Sequence, residues 1–578
     1  MNRKITIKRI FSYTKNYRGY FIVSMILAAI TVATTLTVPI LIGKAIDGMI
    51  GRGNVEFEKI SLVIGQIGIL VAITATSQWL MNISNNIIVY GITKDLRDES
   101  MEKISRLPIR FFDKTAYGDI VSRVIADVDQ FGDGLLLGFT QGFTGLMTLA
   151  GTVIFMFSVN IKMTIIVLVS TPLALLIAAF ISKNSYKMFQ MKNASRGETT
   201  ALMEEAISGE NVIQAFGMED KAIAEFDVLN KQLEVYSRKG TFLSSLPNPS
   251  TRFVYALIYA ALTCGGAYLV IHGQITVGLM TSFLGYATQF TKPFNEMTDV
   301  TAQMQNAISC AGRMFDLIDE DIEVPDEPNA VDMEEPDGRV EFKDVEFSYV
   351  QDKRLIEDFN LRVEPGQRVA IVGPTGCGKT TLINLLMRFY DVNSGSISIS
   401  GIDIRNIKRR SLRNCFGMVL QDTWLSNGTI RDNIAMGMPD ATDEEVEEAA
   451  RDAYADGFIR KLKDGYNTRV NEEAGGLSQG QKQLLCIARI MLVKPKMLIL
   501  DEATSSIDAR TEVKIQAAFD KLMSGRTSFI VAHRLSTIQN ADIILVMKDG
   551  KIIEKGNHRE LLALGGFYNN LYNSQFHI

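Results

Sequence analysis

The sequence has few cysteines, and none of them lies close to another. Its five cysteines, Cys264, Cys310, Cys377, Cys415 and Cys486, are scattered over 578 residues. This spacing argues against a disulfide framework and against a metal site, and it is typical of a protein in a reducing cytosol. The net charge of −5 gives no reason to expect nucleic acid as a partner.

Charged residues are absent from six long stretches in the first half of the chain. A helix rises 1.5 Å per residue, so roughly 20 apolar residues cross the hydrocarbon core of a membrane. The last stretch, Val277–Thr291, is the shortest, and Lys292 and Pro293 follow it. Six such runs in one half favour membrane spans over buried helices of a soluble protein. The predicted spans are Tyr20–Ile42, Ile60–Leu80, Leu135–Phe157, Met163–Ile181, Phe253–Ile271 and Val277–Thr291.

Lysine and arginine are concentrated in alternate connections between these spans. Six precede Tyr20, seven lie between spans two and three, and nine lie between spans four and five. The opposite loops carry only Lys44, Arg52, Lys59 and Lys162. The positive-inside rule therefore predicts a cytoplasmic N-terminus and, after an even number of spans, a cytoplasmic second half. The first apolar run is too long for a cleavable signal peptide.

The two cytoplasmic connections are about 50 and 70 residues long, well beyond ordinary loops. Both contain runs of helix formers, such as Thr93–Leu107 and Thr199–Ile207. We expect the membrane helices to continue into the cytosol and to turn back near Ala116–Asp119 and Ala215–Asp220. Each turn would present a short segment to a domain below, although a plain cytosolic hairpin without a partner is the alternative.

Few polar residues interrupt the spans. Intramembrane polar groups face a cavity or a neighbouring helix, so they either line a substrate path or form hydrogen bonds between helices. The sequence leaves these two roles open. The residues are Gln66, Gln78, Asn82, Asn85, Asn86, Gln141 and Gln289.

The second half begins with an acidic segment between Met314 and Arg339 that contains prolines and no apolar periodicity. Such a composition indicates a linker. The predicted domains are a membrane domain over residues 1–318, an acidic linker over 319–337 and a soluble α/β domain over 338–578.

An apolar strand, Val369–Val372, leads directly into a glycine-rich loop and then into the helix-forming run Thr381–Arg388. This is the context of a P-loop, in which backbone N–H groups and a helix N-terminus bind phosphate. Lys379 is predicted to reach the β- and γ-phosphates of ATP, and Thr380 to bind Mg²⁺. The predicted nucleotide-binding residues of this segment are Gly373, Pro374, Thr375, Gly376, Cys377, Gly378, Lys379, Thr380 and Thr381.

A second apolar run, Met497–Leu500, ends in two acidic residues. A central strand that is buried on both faces has this composition. Asp501 is predicted to lie in the Mg²⁺ coordination shell, and Glu502 to polarise the attacking water.

At these residues the chain resembles the ATP-binding cassette (ABC) family, and over almost its full length it is similar to a half-transporter of the exporter type. The resemblance implies a six-span helical membrane domain with long cytosolic extensions, fused to a P-loop α/β nucleotide-binding domain. It also implies roles for motif residues. Leu477-Ser-Gln-Gly-Gln481 is similar to the signature motif, which implies nucleotide contacts for Ser478, Gln479, Gly480 and Gln481. Gln421 matches the Q-loop, which implies binding to Mg²⁺ and contact with the membrane-domain connections, and Asp508 matches the D-loop. The resemblance further implies that His533 senses the γ-phosphate and that Tyr349 stacks on adenine.

The residues Phe111–Asp119 resemble the first cytoplasmic coupling segment of this family. Together with the motifs of the second half, they extend the resemblance over both parts of the chain.

The sequence departs from the family pattern at the signature motif, where Gln479 occupies the first glycine position. A glycine allows close backbone approach to the γ-phosphate, whereas a glutamine adds bulk and restricts φ. Ser506 and Ile507 also replace the alanine and leucine that are common in the D-loop. Because Glu502 and His533 are intact, the resemblance favours the catalytic subunit of a heterodimer with one degenerate site; a symmetric homodimer is the alternative.

The resemblance implies ATP-driven export of an amphipathic or hydrophobic substrate, of multidrug, lipid or peptide type, through the cytoplasmic membrane of a bacterium. ATP and Mg²⁺ are the implied ligands, and a second ABC subunit, membrane lipids and a small amphipathic substrate are the implied partners. A siderophore importer of the same fold and an ATP-gated channel are the alternatives.

Overall fold

The computed structural model describes residues 3–50, 55–350, 354–420, 423–470, 476–501, 507–531 and 538–576. Within these ranges residues 3–4, 172–187, 189, 244, 247–248, 251, 294–295, 298 and 575–576 are described by their backbone alone. The chain divides into two compact units. The first contains Met1–Leu107 and Thr115–Asp321, and the second contains Pro108–Lys114 and Ile322–Ile578.

The first unit is helical throughout its described length. Its two longest helices have 48 residues each, which corresponds to about 72 Å at 1.5 Å per residue. That is more than twice the thickness of a hydrocarbon core, so these helices extend beyond the membrane. The helices are α1 (Arg3–Tyr13), α2 (Arg18–Asp47), α3 (Phe57–Ile104), α5 (Tyr117–Ser122), α6 (Val128–Leu137), α7 (Phe143–Val159), α8 (Ile161–Ser208), α9 (Glu210–Phe216), α10 (Glu219–Ser245), α11 (Pro247–Ile271) and α12 (Val277–Ile318).

Four helical segments of the described chain are long and apolar enough to cross a membrane. They are Ile5–Asp47, Phe57–Ile104, Tyr117–Val159 and Arg252–Ile271. Ile161–Thr171, at the start of α8, is a shorter apolar helix. The predicted fourth span continues into residues whose side chains are not described, so the count of six spans stays a prediction.

Helices α2 and α12 are joined by hydrogen bonds to backbone carbonyls within the membrane unit. The Tyr286 hydroxyl donates to the carbonyl of Leu36 at 2.7 Å, and the Ser282 hydroxyl donates to the carbonyl of Pro39 at 2.8 Å. Both donors are fully buried. Since a buried hydroxyl needs a partner, these bonds fix the position of α12 along α2.

The cytoplasmic connections interrupt the helices near the predicted places. Helix α3 ends at Ile104, and Pro108 precedes the short helix α4 (Ile109–Lys114), which belongs to the second unit. A further break follows at Ala116, whose backbone is extended, before α5 begins at Tyr117, and this break lies at the start of the predicted turn Ala116–Asp119. In the second connection the chain turns at Gly217, which has φ of +60°.

The second unit is built on a mainly parallel sheet of six strands, whose order in the described residues is β12-β11-β3-β10-β9-β6. A four-stranded antiparallel sheet, β2-β1-β4-β5, packs against one face through an apolar core. A second core lies on the other face, under the helices. Strands buried on both faces explain the continuous apolar runs in the sequence. The strands are β1 (Val340–Phe347), β2 (Ile356–Val363), β3 (Arg368–Val372), β4 (Ser394–Ile399), β5 (Ile402–Asp403), β6 (Phe416–Val419), β7 (Gly428–Thr429), β8 (Arg469–Val470), β9 (Met497–Asp501), β10 (Thr527–Val531), β11 (Ile543–Lys548) and β12 (Lys551–Gly556).

The helices of the second unit are short compared with those of the first. They are α13 (Lys379–Leu386), α14 (Arg409–Asn414), α15 (Ile430–Ile434), α16 (Asp443–Asp452), α17 (Asp456–Ile459), α18 (Gln479–Val493), α19 (Ala509–Met523), α20 (His558–Leu564) and α21 (Phe567–Phe576). Helix α13 begins at Lys379, two residues before the predicted helix-forming run.

The acidic segment predicted as a linker is bound to the second unit. Glu323 pairs with Arg413 at 2.6 Å, and Asp326 pairs with Arg409 at 3.1 Å. The Arg409 side chain is 8% exposed, whereas those of Asp326 and Arg413 are 32% and 29% exposed. The acidic composition of the segment therefore reflects its docking onto these two arginines as well as solubility.

Candidate functional site

The glycine-rich loop lies between β3 and α13 and needs its glycines for two different reasons. Gly376 and Gly378 have φ of +84° and +102°, which residues with a side chain rarely adopt. A Cβ atom at Gly373 would lie 2.2 Å from the carbonyl oxygen of Met547, so there is no room for a side chain. No side chain of the described residues caps α13 at Gly378. The N–H groups of its first turn are therefore available to an anion.

Lys379 is folded over the loop that it follows. Its Nζ donates to the carbonyls of Gly373 at 2.8 Å and of Pro374 at 3.0 Å. Burial raises the pKa of the neighbouring Cys377 thiol, and the charge of Lys379 opposes this increase. Since the pKa is raised above its ordinary alkaline value, Cys377 is a neutral packing residue at neutral pH.

The remaining loop residues divide by exposure. Pro374, Thr375 and Thr380 are exposed, whereas Thr381 is buried against the core. Thr380, the second residue of α13, is therefore accessible to solvent.

Tyr349 lies beside this helix. Its ring packs edge-on against Phe347 and Tyr390, with ring centroids 4.9 Å apart in each pair. Its hydroxyl donates to Thr381 Oγ1 and accepts from Asn384 Nδ2, both at 3.3 Å. The aromatic ring is thus held next to the first turns of α13.

Tyr390 also contacts the first cytoplasmic connection. Its hydroxyl donates to the carboxylate of Asp113, which belongs to α4 within the same compact unit. Burial and this bond both raise the pKa of Tyr390, so it remains a donor at physiological pH. Sequence reasoning missed Tyr390 and Asn384, because neither stands in a recognised motif.

The carboxyl ends of the parallel strands bring Asp501 to the edge of the sheet that carries the loop. Val531 of β10 is in register with Ile371 of β3 on one side and with Asp501 of β9 on the other. With strands about 4.8 Å apart, the Cα atoms of Ile371 and Asp501 are about 10 Å apart. The loop starts at Gly373, so Asp501 and the loop lie at the same edge of the sheet.

The signature-like segment forms the start of α18. The Ser478 hydroxyl accepts from the N–H of Gln481 at 3.3 Å, and Gln481 Oε1 accepts from the N–H of Ser478 at 2.9 Å. This capping box shows that both residues also stabilise the helix. A Cβ at Gly480 would lie 2.5 Å from Thr511 Cγ2, so α18 and α19 approach each other too closely for a side chain there.

Gln479 is the first residue of α18 and has a helical backbone. A helical φ is available to any residue, so the restricted φ of glutamine has no consequence at this position. Its side chain is exposed, and Nε2 donates to Thr423 Oγ1 at 3.1 Å. Thr423 lies just after the Q-loop and had no signal in the sequence.

Asp508 caps α19 by accepting the N–H of Thr511 at 3.0 Å, which lowers the pKa of its carboxyl group. The predicted catalytic residues Gln421, Glu502 and His533 lie outside the described residues, as do Ser505 and Ser506 of the D-loop.

Comparison with known proteins matches both units. Residues 21–294 match the family described as "ABC transporter transmembrane region", and residues 356–505, which include the loop and β9, match "ABC transporter". A Mycobacterium tuberculosis protein named "Fatty acid ABC transporter ATP-binding/permease protein" is 42% identical over 90% of this chain and 82% of its own. The chain belongs to the ABC transporter family.

Other relatives point to the exporter type within the ABC transporters. A Bacillus subtilis "Putative multidrug export ATP-binding/permease protein" is 36% identical over 98% of this chain and 99% of its own length. The solved structure of "a bacterial Atm1-family ABC exporter with ATP bound" superposes with a TM-score of 0.78 at 29% identity, covering 97% of this chain and 99% of the other. This ABC chain is therefore an exporter half-transporter, with a helical membrane domain fused to a nucleotide-binding domain.

These matches confirm three predictions. The fold class is as predicted, the protein is a multi-pass membrane protein, and it is an ATP-binding ATPase whose activity is coupled to transport.

Proposed function

We propose that this chain exports an amphipathic substrate from the bacterial cytoplasm as the hydrolysing member of an unequal pair of ABC subunits. The observation that carries the proposal is the combination within one chain of a glycine-rich loop with the backbone geometry for phosphate and a signature segment altered at Gln479. The relatives named for fatty acid transport and multidrug export support a hydrophobic or amphipathic cargo.

In this proposal the β- and γ-phosphates of ATP lie over the loop, and Lys379 exchanges its bonds to the loop carbonyls for bonds to phosphate oxygens. A loop without a side chain at Gly373 allows the phosphates to approach the backbone. Tyr349 stacks on the adenine, since its ring is already fixed beside α13. Thr381 and the other loop residues form the wall of the phosphate site.

Mg²⁺ is assigned to the hydroxyl of Thr380, the carboxylate of Asp501 and the side chain of Gln421. Hydroxyl and carboxylate oxygens are the donors that Mg²⁺ prefers, and Thr380 and Asp501 face the same edge of the sheet. The ion would neutralise part of the phosphate charge. Thr380 and Asp501 belong to the described residues, and Gln421 does not.

Glu502 is assigned as the base that polarises water, His533 as the group that senses the γ-phosphate, and Gln421 as the link to the membrane domain. Ser478, Gln479, Gly480 and Gln481 are assigned to the partner's nucleotide, across a head-to-tail interface with the second subunit. Asp508 is assigned to the same interface.

The membrane topology of the proposal has six spans, with both termini in the cytosol, and the domains 1–318, 319–337 and 338–578. The distribution of Lys and Arg supports it. The docking of Glu323 and Asp326 on the second unit suggests that residues 322–337 move with the nucleotide-binding domain.

The direction of transport can be tested in inverted membrane vesicles, whose cytoplasmic face is outside. We expect an amphipathic fluorescent substrate to accumulate inside vesicles that contain the chain when ATP is added, because export runs into the lumen. Vesicles without the chain, and vesicles given a non-hydrolysable nucleotide, serve as controls. Release of preloaded substrate on adding ATP would instead identify an importer, and ionic current without accumulation would identify a channel.

The unequal pair can be tested by purifying the chain alone and together with a co-expressed ABC subunit that has an intact signature glycine. We expect the lone chain to hydrolyse ATP at least about tenfold more slowly than the pair, which corresponds to about 1.4 kcal/mol in the barrier. In the lone chain each ATP would face the altered signature segment, so Gln479→Gly should restore part of the rate. Full activity of the unmodified lone chain would establish a homodimer with two equal sites.

A further inference from the structure

A cavity of about 370 Å³ lies between α8, α11 and α12 of the membrane unit. Arg252 is the one charged residue among the described residues that line it, and the others are aliphatic, tyrosine or threonine side chains. The volume is within the range of sites that bind small molecules. An ionisable residue that lines a cavity between membrane helices is a candidate for binding a ligand of opposite charge.

A larger cavity of about 870 Å³, between α2, α3, α6, α7 and α12, has a different wall. The polar residues of its wall that belong to the predicted spans include Thr31 of α2, Gln289 of α12, and Gln78, Asn82 and Asn86, which form one polar face of α3. Amides offer hydrogen-bond donors and acceptors alike, and the charged lining residues, Asp133, Lys292 and Glu296, have both signs. This larger cavity therefore selects no head group by charge.

The positive charge of Arg252 is not neutralised within the membrane unit. Among the described residues of this unit, none forms an ion pair or a side-chain hydrogen bond with Arg252. Helix α11 contains no acidic residue, and the first acid of α12, Glu296, lies 4.0 Å from Lys292. The first acid of α8 is Glu198, which is roughly 40 Å along the helix from Thr171. The residues of this unit that are described by their backbone alone, or not at all, include no Asp or Glu.

Two tyrosines place hydrogen-bond donors beside Arg252 on the same face of α11. Tyr255 and Tyr259 follow Arg252 at the spacing of successive helical turns. Their hydroxyl groups have no partner among the described residues, whereas the three threonine hydroxyls of the wall donate to carbonyls of their own helices at 2.7, 3.1 and 2.9 Å. Arg252 and Tyr259 are exposed and Tyr255 is half-buried, so a ligand can reach all three side chains.

The rest of the cavity wall is apolar. Ala256 and Ile258 of α11 line it, and Leu262 of α11 and Val167 of α8 close its floor. The last two are each 1% exposed and belong to the apolar core of this unit. Leu262 lies about 15 Å along α11 from Arg252. The cavity therefore has a cationic end and an apolar end, which is the arrangement that an anionic amphiphile requires.

We propose that this cavity binds the transported amphiphile, with its anionic head group, a phosphate or a carboxylate, at Arg252, Tyr255 and Tyr259 and its hydrocarbon chain along the apolar wall. The planar fork of a guanidinium group matches the oxygens of either anion. A cationic head group is disfavoured, because it would meet the charge of Arg252. The inference rests on the proposed export function and narrows its substrate class.

Two amphiphiles with the same hydrocarbon tail and opposite charge test the proposal, dodecyl phosphate and dodecyltrimethylammonium. The ATP-hydrolysing assembly is reconstituted in phosphatidylcholine vesicles, and external ATP drives those molecules whose nucleotide-binding domain faces outwards. We expect ATP-dependent uptake of radiolabelled dodecyl phosphate, with a half-saturating concentration at least about fivefold lower than that of dodecyltrimethylammonium. This factor is the effect of one basic residue on an anion near a membrane surface.

Variants connect the preference to the cavity. Arg252→Gln should raise the half-saturating concentration of dodecyl phosphate about fivefold and leave the rate at saturation unchanged. Arg252→Lys keeps the charge and should remain close to the natural chain. Tyr255→Phe removes one hydroxyl group without changing charge or ring packing, and it should raise the half-saturating concentration about threefold.

The matched control is Arg18→Gln. Arg18 is an exposed arginine at the start of α2, predicted to lie at the same cytoplasmic surface of the membrane, and it lines neither cavity. It loses the same charge, so uptake of dodecyl phosphate should be unchanged. An equal effect of Arg18→Gln and Arg252→Gln would overturn the inference, because Arg252 would then act only through the surface potential, with its side chain extended to the interface.

Three further results would overturn the inference. They are a preference for dodecyltrimethylammonium, an unchanged half-saturating concentration in both Arg252→Gln and Tyr255→Phe, and occupation of the cavity by a bilayer lipid. In the last case phosphatidylglycerol added to the vesicles would change ATPase activity in the natural chain but not in Arg252→Gln, and uptake of dodecyl phosphate would not depend on Arg252. ATP-driven uptake would persist in all three cases, so the proposed function would stand. Absence of ATP-driven uptake of any amphiphile would contradict the proposed function itself, and the inference with it.

Discussion

Replacing Glu502 by glutamine is expected to slow ATP turnover by roughly 100- to 10,000-fold, the usual contribution of a general base. Glutamine has nearly the same shape as glutamate but cannot polarise the attacking water by accepting its proton. Nucleotide binding depends on the loop, α13 and Tyr349, so the affinity for ATP should remain. The measurement is steady-state phosphate release, with ATP binding followed separately by a fluorescent nucleotide.

A matched control for this variant is Glu448→Gln in α16. Glu448 is an exposed residue of the nucleotide-binding domain and has no place in the proposed site. The control loses the same charge, so it should hydrolyse ATP at the natural rate. Persistent hydrolysis in Glu502→Gln at that rate would mean that the base is another residue.

Replacing Lys379 by alanine is expected to weaken ATP binding by roughly 10- to 150-fold, because a hydrogen bond to a charged group contributes about 1.5–3 kcal/mol. The lysine Nζ is positioned over the loop by Gly373 and Pro374, so its charge is available where the phosphates are proposed to lie. Hydrolysis should fall further than binding, since negative charge shifts among the phosphate oxygens in the transition state. Titration with a fluorescent ATP analogue measures the first effect, and turnover at saturating ATP measures the second.

The control for Lys379→Ala is Lys514→Ala in α19, an exposed lysine of the same domain. It removes one positive charge and favours the helix slightly. If both variants bound ATP as tightly as the natural protein, the phosphate-binding role of Lys379 would be refuted.

Local sequence patterns predicted the parts of the fold that depend on neighbouring residues. The run Val369–Val372 is β3 with one more residue at its start, and Met497–Leu500 forms β9, which ends at Asp501. A buried parallel strand requires a continuous apolar run, and the glycines of the loop require positive φ or a close approach of backbone. Both requirements are met within a few residues, so they can be recognised in the sequence.

These local patterns could not predict contacts between residues that are far apart in the sequence. The sequence showed that Gln479 adds bulk at a glycine position, but it did not show that Gln479 is the first residue of α18 or that its side chain donates to Thr423. Ser478 and Gln481 cap that helix as well. Likewise, the acidic segment predicted as a linker binds Arg409 and Arg413, which lie 83 residues after Asp326 and 90 residues after Glu323.

The sequence by itself determined the family and the membrane and nucleotide-binding halves, and it predicted the phosphate-binding and catalytic groups. Each of these depends on the types of a few residues and on their spacing over short stretches of the chain, and both can be recognised in the sequence. Only the tertiary structure decided that Thr31, Gln289 and the polar face of α3 surround one cavity, and that Tyr286 and Ser282 donate to backbone carbonyls of α2. Whether a polar side chain finds a hydrogen-bond partner on another helix depends on which helices pack together. The separation of two residues along the sequence does not give that information.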